Sequence, residues 1–359
     1  EAHGDPKPAR LGDAELKATC EAYLAREVPS ELPLLVILDG LDEAANWELD
    51  RYFFPDPPPA NLRILVSARS SAAQDDDRDW RKLLGWQSPA QARSIRLSRL
   101  SPDGIADVLE KMSNPLSGLA AKKELLQALF RLSDGGDPLL VGLFVERLKE
   151  KGETAGRLTQ AELDALEPGI DGYFKDWEAD QQKLWGEQPP AGNAVPLLFN
   201  LLATAFGPLL RQDLGELLRE DAVPSWAMDQ GLLQIRRWVV GDGEKTGFVF
   251  QHPRLADYFR KKSFDHERVA FEQRFLQYGK RTLAALNSQA LSPNDAPAYI
   301  LQNFAAHLER AKAPPEAFYT LVSKGWRDAW YDLEGTYSGF LSDVARAWRK
   351  ADEALQQGP

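Results

Sequence analysis

The segment that most restricts what this chain can become is Leu34 to Ala44, LLVILDGLDEA. Five apolar residues, Leu34 to Leu38, run directly into Asp39, and Asp42 and Glu43 follow. An unbroken Leu/Val/Ile run without polar alternation predicts a strand buried on both faces of a parallel sheet. Such strands end at the carboxyl edge, where α/β proteins place their ligands. Acidic side chains there need a cation, water or donors. Mg²⁺ on a nucleotide meets that need, because it takes one or two carboxylates together with phosphate oxygens. The plain alternative is a surface turn after a core strand that happens to carry three acids.

Composition removes several competing classes. The 359 residues suffice for two or three domains. With 43 Lys+Arg against 54 Asp+Glu the formal net charge is −11, which argues against general affinity for nucleic acid. Cys20 is the only cysteine, so no internal disulfide or cysteine zinc site exists, and a reducing, cytoplasmic setting is expected. No apolar run reaches membrane-spanning length and no signal-peptide pattern is present, so no membrane partner is expected.

Along the chain, Asp13 to Glu27 follows a helical period with Leu16, Cys20 and Leu24 on one face. A second apolar strand is predicted at Leu62 to Ala68, parallel to the first across a helical link. From Ser101 the pattern turns helical: SPDGIADVLEKM carries an entry signal, KKELLQALFRL is amphipathic, and Gly-Gly-Asp-Pro at 135–138 opens another helix with Pro138 in its first turn. Residues 195–262 read as helix, helix, helix, hairpin, helix. The hairpin strands are expected at IRRWVV and FVFQ around GDGEKTG, an order that fits a winged-helix domain. From His266 onward the pattern is helical throughout.

Four features occur in one order: DGLDEA at 39–44, SAR at 67–69, GGDP at 135–138 and FQHPRLADYF at 250–259. Together they resemble the NACHT-type STAND NTPases, signalling ATPases of the AAA+ superclass, over roughly residues 14–262. The resemblance implies ATP or ADP with Mg²⁺ as cofactors. Asp39 would hold the metal, Asp42 or Glu43 would orient or deprotonate the attacking water, and Arg69 would sense the terminal phosphate. Pro138 would sit by the adenine and His252 would hold the β-phosphate. It also implies self-oligomerisation on activation, an upstream effector domain, and downstream sensor repeats or a trigger protein. In bacterial relatives the output is often anti-phage defence or programmed cell death. His266 and His307 read as structural.

The expected fold class is mostly α with an α/β part. A partial P-loop NTPase core with a parallel sheet would occupy 1–100, a small helical domain 101–190, a winged-helix domain 191–263 and a helical region 264–359. The resemblance has one departure. No G-x-x-x-x-G-K-[ST] P-loop precedes the first strand; GEKTG at 243–247 lacks its spacing. The missing start Met and the opening inside a domain lead us to expect the P-loop upstream of Glu1, and this chain alone should not hydrolyse ATP. Two alternatives follow: a winged-helix DNA-binding regulator, and a catalytically inactive interaction scaffold. SWAMDQGLL, the would-be recognition helix, has no Lys or Arg, which weakens the first. A two-aspartate phosphatase needs D-x-D where this chain has D-x-x-D.

Overall fold

Residues 13–41, 51–68, 78–86, 92–152, 162, 164–185, 189–262 and 265–357 are described by the computed structural model. Asp42, Glu43 and Arg69 lie outside them. Fifteen α-helices against two two-stranded sheets make the described chain mostly helical. It divides into two compact units, one formed by Glu1–Ser94 with Ala194–Pro359, the other by Ile95–Asn193.

In the first unit, α1 (Asp13–Leu24) leads to β1 (Leu34–Leu38), and β2 (Leu62–Val66) pairs with it in parallel, Leu34 opposite Leu62 and Leu38 opposite Val66. Residues 51–61 of the connection form turns rather than a helix. α2 (Arg78–Leu83) follows. The apolar runs make strands as expected, but not strands buried on both faces. Leu38, Ile64 and Val66 pack against a cluster of Leu41, Phe53, Phe54 and Leu84, joined by Cys20, Leu24, Trp80 and Trp86. Leu35, Ile37 and Leu65 point the other way and are exposed. Side chains alternate along a strand, and among the described residues this cluster packs against one face.

The second unit is helical. α3 (Pro102–Glu110) starts at Ser101, whose hydroxyl accepts from the Gly104 amide at 3.1 Å. α4 (Lys123–Leu132) buries Leu125, Leu126, Ala128, Leu129 and Leu132, the stripe its period foretells. α5 (Pro138–Lys151) and α6 (Gly169–Trp185) pack through the edge-on rings of Phe144 and Tyr173, 5.3 Å apart.

The chain then forms α7 (Pro189–Thr204), α8 (Arg211–Leu217), α9 (Ser225–Ile235), β3 (Val239–Val240), β4 (Val249–Phe250) and α10 (Pro253–Lys262). The element order matches the sequence reading, but the hairpin is shorter. Ile235 and Arg236 end α9 instead of opening a strand, because Ile235 completes the buried stripe Ala227, Met228, Gly231 and Leu232. β3 and β4 are antiparallel, and a bridge from Leu209 to Phe248 extends their edge. Asp242 builds the turn: its Oδ1 accepts the amides of Glu244, Lys245 and Thr246 at 2.8–2.9 Å, which holds its carboxyl down at about 2.

Five helices close the chain: α11 (Asp265–Asn287), α12 (Ala298–Arg310), α13 (Pro315–Tyr319), α14 (Lys324–Glu334) and α15 (Ser338–Gln357). α11 meets α8 and the short turn after it, Arg219–Asp221, along a polar stripe. Arg274 forks onto Asp221, the Tyr278 hydroxyl donates to Asp213 Oδ1 at 2.9 Å, and Arg281 reaches Glu216 at 3.3 Å. Asp213 also accepts from the Leu210 amide, capping α8, and its burial raises the carboxyl above the usual range.

Candidate functional site

β1 delivers Asp39 and β2 delivers Ser67 to the same carboxyl edge of the parallel pair. The Ser67 hydroxyl donates to Asp39 Oδ1 and accepts from the Gly40 amide at 2.9 Å. Backbone bonds continue the pairing past the strands, Ser67 N to Leu38 O and Leu41 N to Ser67 O, both 2.9 Å. Gly40 makes the reversal with φ at 71°, a left-handed conformation that suits glycine. The first acid of DGLDEA and the serine of SAR are thus joined directly.

Asp39 is exposed. A carboxylate offers about four lone-pair directions, and the bond from Ser67 uses one. One carboxylate with a hydroxyl beside it is the small protein share that Mg²⁺ takes when phosphates and waters complete its shell, so these residues fit that ion. Among the described residues no group of three or more His, Cys, Asp or Glu side chains could hold a metal without such help.

Pro138, in the second unit, is exposed at the first position of α5. The turn before it is tightly determined. Asp137 caps the helix, accepting from the amides of Leu139 and Leu140 at 3.1 and 3.3 Å. Ser133 donates to Leu129 O at 2.6 Å and accepts from Gly136 N at 3.2 Å, while Gly136 O takes the Leu100 amide at 2.8 Å. Gly136 has φ at 85°, and a Cβ there would lie 1.8 Å from the Leu100 carbonyl oxygen. Gly136→Ala is therefore expected to cost about 2 kcal/mol, from the left-handed backbone and the forced shift of Leu100, and to lower the melting temperature. An unchanged melt would show that the turn relaxes freely.

His252 stands between β4 and α10, half-buried, and its Nδ1 accepts the Arg254 amide at 3.2 Å. A neutral imidazole accepting at Nδ1 carries its proton on Nε2, which makes that atom a donor. α9 presents Trp226 and Leu233 outward; its acid, Asp229, forks with Arg211 at 2.8 and 2.9 Å.

Two buried polar groups escape sequence reasoning. Glu272 of α11 lies between His307 Nδ1 at 2.7 Å and Arg310 Nε at 2.8 Å. His307 Nε2 meets the Tyr299 hydroxyl at 2.8 Å, and Tyr299 accepts the Phe206 amide at 3.1 Å. The carboxylate can only accept, so Nδ1 carries the proton and Tyr299 donates to Nε2. Burial lowers the His307 pKa despite the Glu272 contact, keeping the ring neutral. In α15, Asp343 Oδ2 accepts both the Trp326 and Trp330 indoles, at 2.9 and 3.0 Å. Neither set carries a sequence signal: each acid sits on an ordinary amphipathic helix.

No protein-family model, no curated protein and no solved structure matches the chain. No helix among the described residues is long and apolar enough to cross a membrane.

Proposed function

We propose that this chain is the nucleotide-switch core of a NACHT-type STAND signalling ATPase, working in the cytoplasm. The observation that carries the reading is the pairing of Asp39 with Ser67 at the carboxyl ends of neighbouring parallel strands. In that reading Asp39 ligates Mg²⁺ directly or through water, and Ser67 fixes the carboxylate's orientation. Asp42 or Glu43 serves as the base toward water, a role that requires hydrogen-bond reach. Arg69 binds the terminal phosphate with its always-charged guanidinium. Pro138 meets the adenine, and His252 donates from Nε2 to the β-phosphate. The 191–263 segment takes the part of the winged helix and 101–190 that of the small helical domain.

The bound Mg²⁺ would neutralise phosphate charge. The main donors to the β- and γ-phosphates, a P-loop's amides and lysine, are absent from these 359 residues. Hydrolysis by this chain alone is not expected. A bound diphosphate would stabilise a closed state, and a trigger would release it toward ATP exchange and self-oligomerisation, with an effector giving the output in defence or cell death. Such a switch acts only through differing affinities for its two states.

Isothermal titration of Mg-ADP and Mg-ATP into the intact protein tests this. Binding is expected, weakened at least about tenfold by Asp39→Ala, since a lost charge-assisted contact is worth roughly 1.5–3 kcal/mol. Absence of binding, or binding indifferent to Asp39→Ala, would sink the proposal.

A further inference from the structure

The last helix, α15, has two apolar faces. Its inward face carries Ala347 and the buried Asp343, whose carboxylate is engaged by the indoles of Trp326 and Trp330. A second stripe runs Tyr337, Leu341, Val344, Trp348, Ala351 and Leu355, alternating four and three residues apart. Leu341 is 60 % exposed, Trp348 69 % and Leu355 80 %, while Val344 and Ala351 are half-buried. A four–three alternation is the spacing of a helix that packs along another helix.

Two basic residues of α15 have acidic partners. Arg346 faces Glu309 of α12 at 4.0 Å, and Lys350 pairs with Glu353 at 2.7 Å. The Trp348 indole donates to Asp352 Oδ2 at 3.0 Å, one turn along its own helix. Its only donor is satisfied within the helix, so covering the ring strands no polar atom.

We infer that this stripe is a self-association surface, on which α15 of a second copy of this chain packs antiparallel across a two-fold axis at Trp348. The spacing selects that occupant. Leu341 and Leu355 stand one heptad either side of Trp348, so the axis sets Leu341 of one copy against Leu355 of the other, and the same patch serves both. The area agrees. With an aromatic side chain supplying about 150–250 Å², the stripe offers on the order of 600 Å² per copy, and two copies bury about 1,200 Å², the lower limit of stable specific interfaces. Contact of that size lies at the low end of the range, which fits a reversible dimer rather than an obligate one. Nucleotide plays no part in it, so its failure would leave the switch reading untouched.

Sedimentation velocity on the full chain, from about 1 to about 100 µM, reads the result directly. The wild type is expected to move from monomer to dimer across that range, and Leu341→Lys/Leu355→Lys to stay monomeric, a loss of at least about a hundredfold in affinity. Trp348→Gln, a milder change at the axis, should weaken the dimer in the same direction. Leu233→Lys, on the exposed face of α9, should leave it unchanged. Circular dichroism melts identical to wild type identify variants that have kept their fold. A monomeric wild type at the highest concentration overturns the inference, including the case in which the stripe receives another protein or more chain. A dimer that survives in the double-lysine variant overturns it equally.

Discussion

Glu272→Ala is expected to destabilise the protein by about 3–5 kcal/mol, the usual cost of removing one partner from a buried charged set. Glu272 is buried and answers two donors at once, His307 Nδ1–H and the Arg310 guanidinium. Arg310 also donates to Thr204 O at the end of α7 and lies over the Phe206 ring at 3.9 Å. Loss of the carboxylate leaves a guanidinium near the core with one carbonyl for company, and deprives His307 of the acceptor that fixes its tautomer. Glu272→Gln keeps one acceptor but turns an amide donor toward the other partner, so its cost should fall between. Chemical denaturation checks both. A cycle with His307→Ala should be clearly non-additive, since the residues share a hydrogen bond. Additivity would show that the network transmits nothing.

Asp343 gives the second large effect, with a pH signature. Burial pushes its carboxyl from about 4 up to about 6, and the two indole donors only partly offset this. The folded state thus holds the proton more tightly than the unfolded chain. This group's contribution is most favourable below pH 4, declines as pH rises to about 6, and is level above. A rise of that size corresponds to roughly 3 kcal/mol lost across the window. Asp343→Asn keeps an acceptor for both indoles without the buried charge. It should be at least as stable as wild type at pH 7.5, with the advantage vanishing near pH 4. Asp343→Leu orphans two buried N–H groups and should lose about 2–4 kcal/mol at every pH. Thermal melts between pH 4 and 8 distinguish the series; parallel curves for wild type and Asp343→Asn would refute the assignment. His307 acts in the opposite sense. Its lowered pKa means that stability falls as pH drops below the ordinary imidazole value. Acid therefore tightens one end of the C-terminal helices while loosening the other, and removing either group should expose the slope of its rival.

How much of this was legible depended on whether the cause was local. Ser101 and Asp137 announce the helices they cap, and each satisfies amides two or three residues away. The two apolar runs announce a parallel pair for the same reason: composition alone favours them as strands. What covers each face is a tertiary matter, and there the reading failed, with Leu35, Ile37 and Leu65 exposed. Ile235 to Val240 looked like a strand by its β-branched and aromatic content, but the buried face of α9 claimed Ile235 first. Of the candidate site, the structure joins Asp39 to Ser67, caps α10 with His252, and leaves Pro138 exposed at a helix start. The Glu272 and Asp343 sets were invisible because their partners lie far away in sequence, 35 residues in the case of His307.

The polar stripe that α11 makes with α8 and the turn after it is a clutch. Its three contacts differ in kind: a forked guanidinium on Asp221, a phenol on buried Asp213, a second guanidinium on Glu216. Sliding α11 by one turn, about 5.4 Å, would pull the phenol from Asp213 and leave that buried acid with the Leu210 amide alone of its two donors. No partial slip is comfortable, so the two helices either turn together or disengage. α11 is 23 residues long, about 35 Å. While engaged, a rotation of the hairpin unit by roughly ten degrees would swing the far end of that helix by about 6 Å, a displacement of one helical turn.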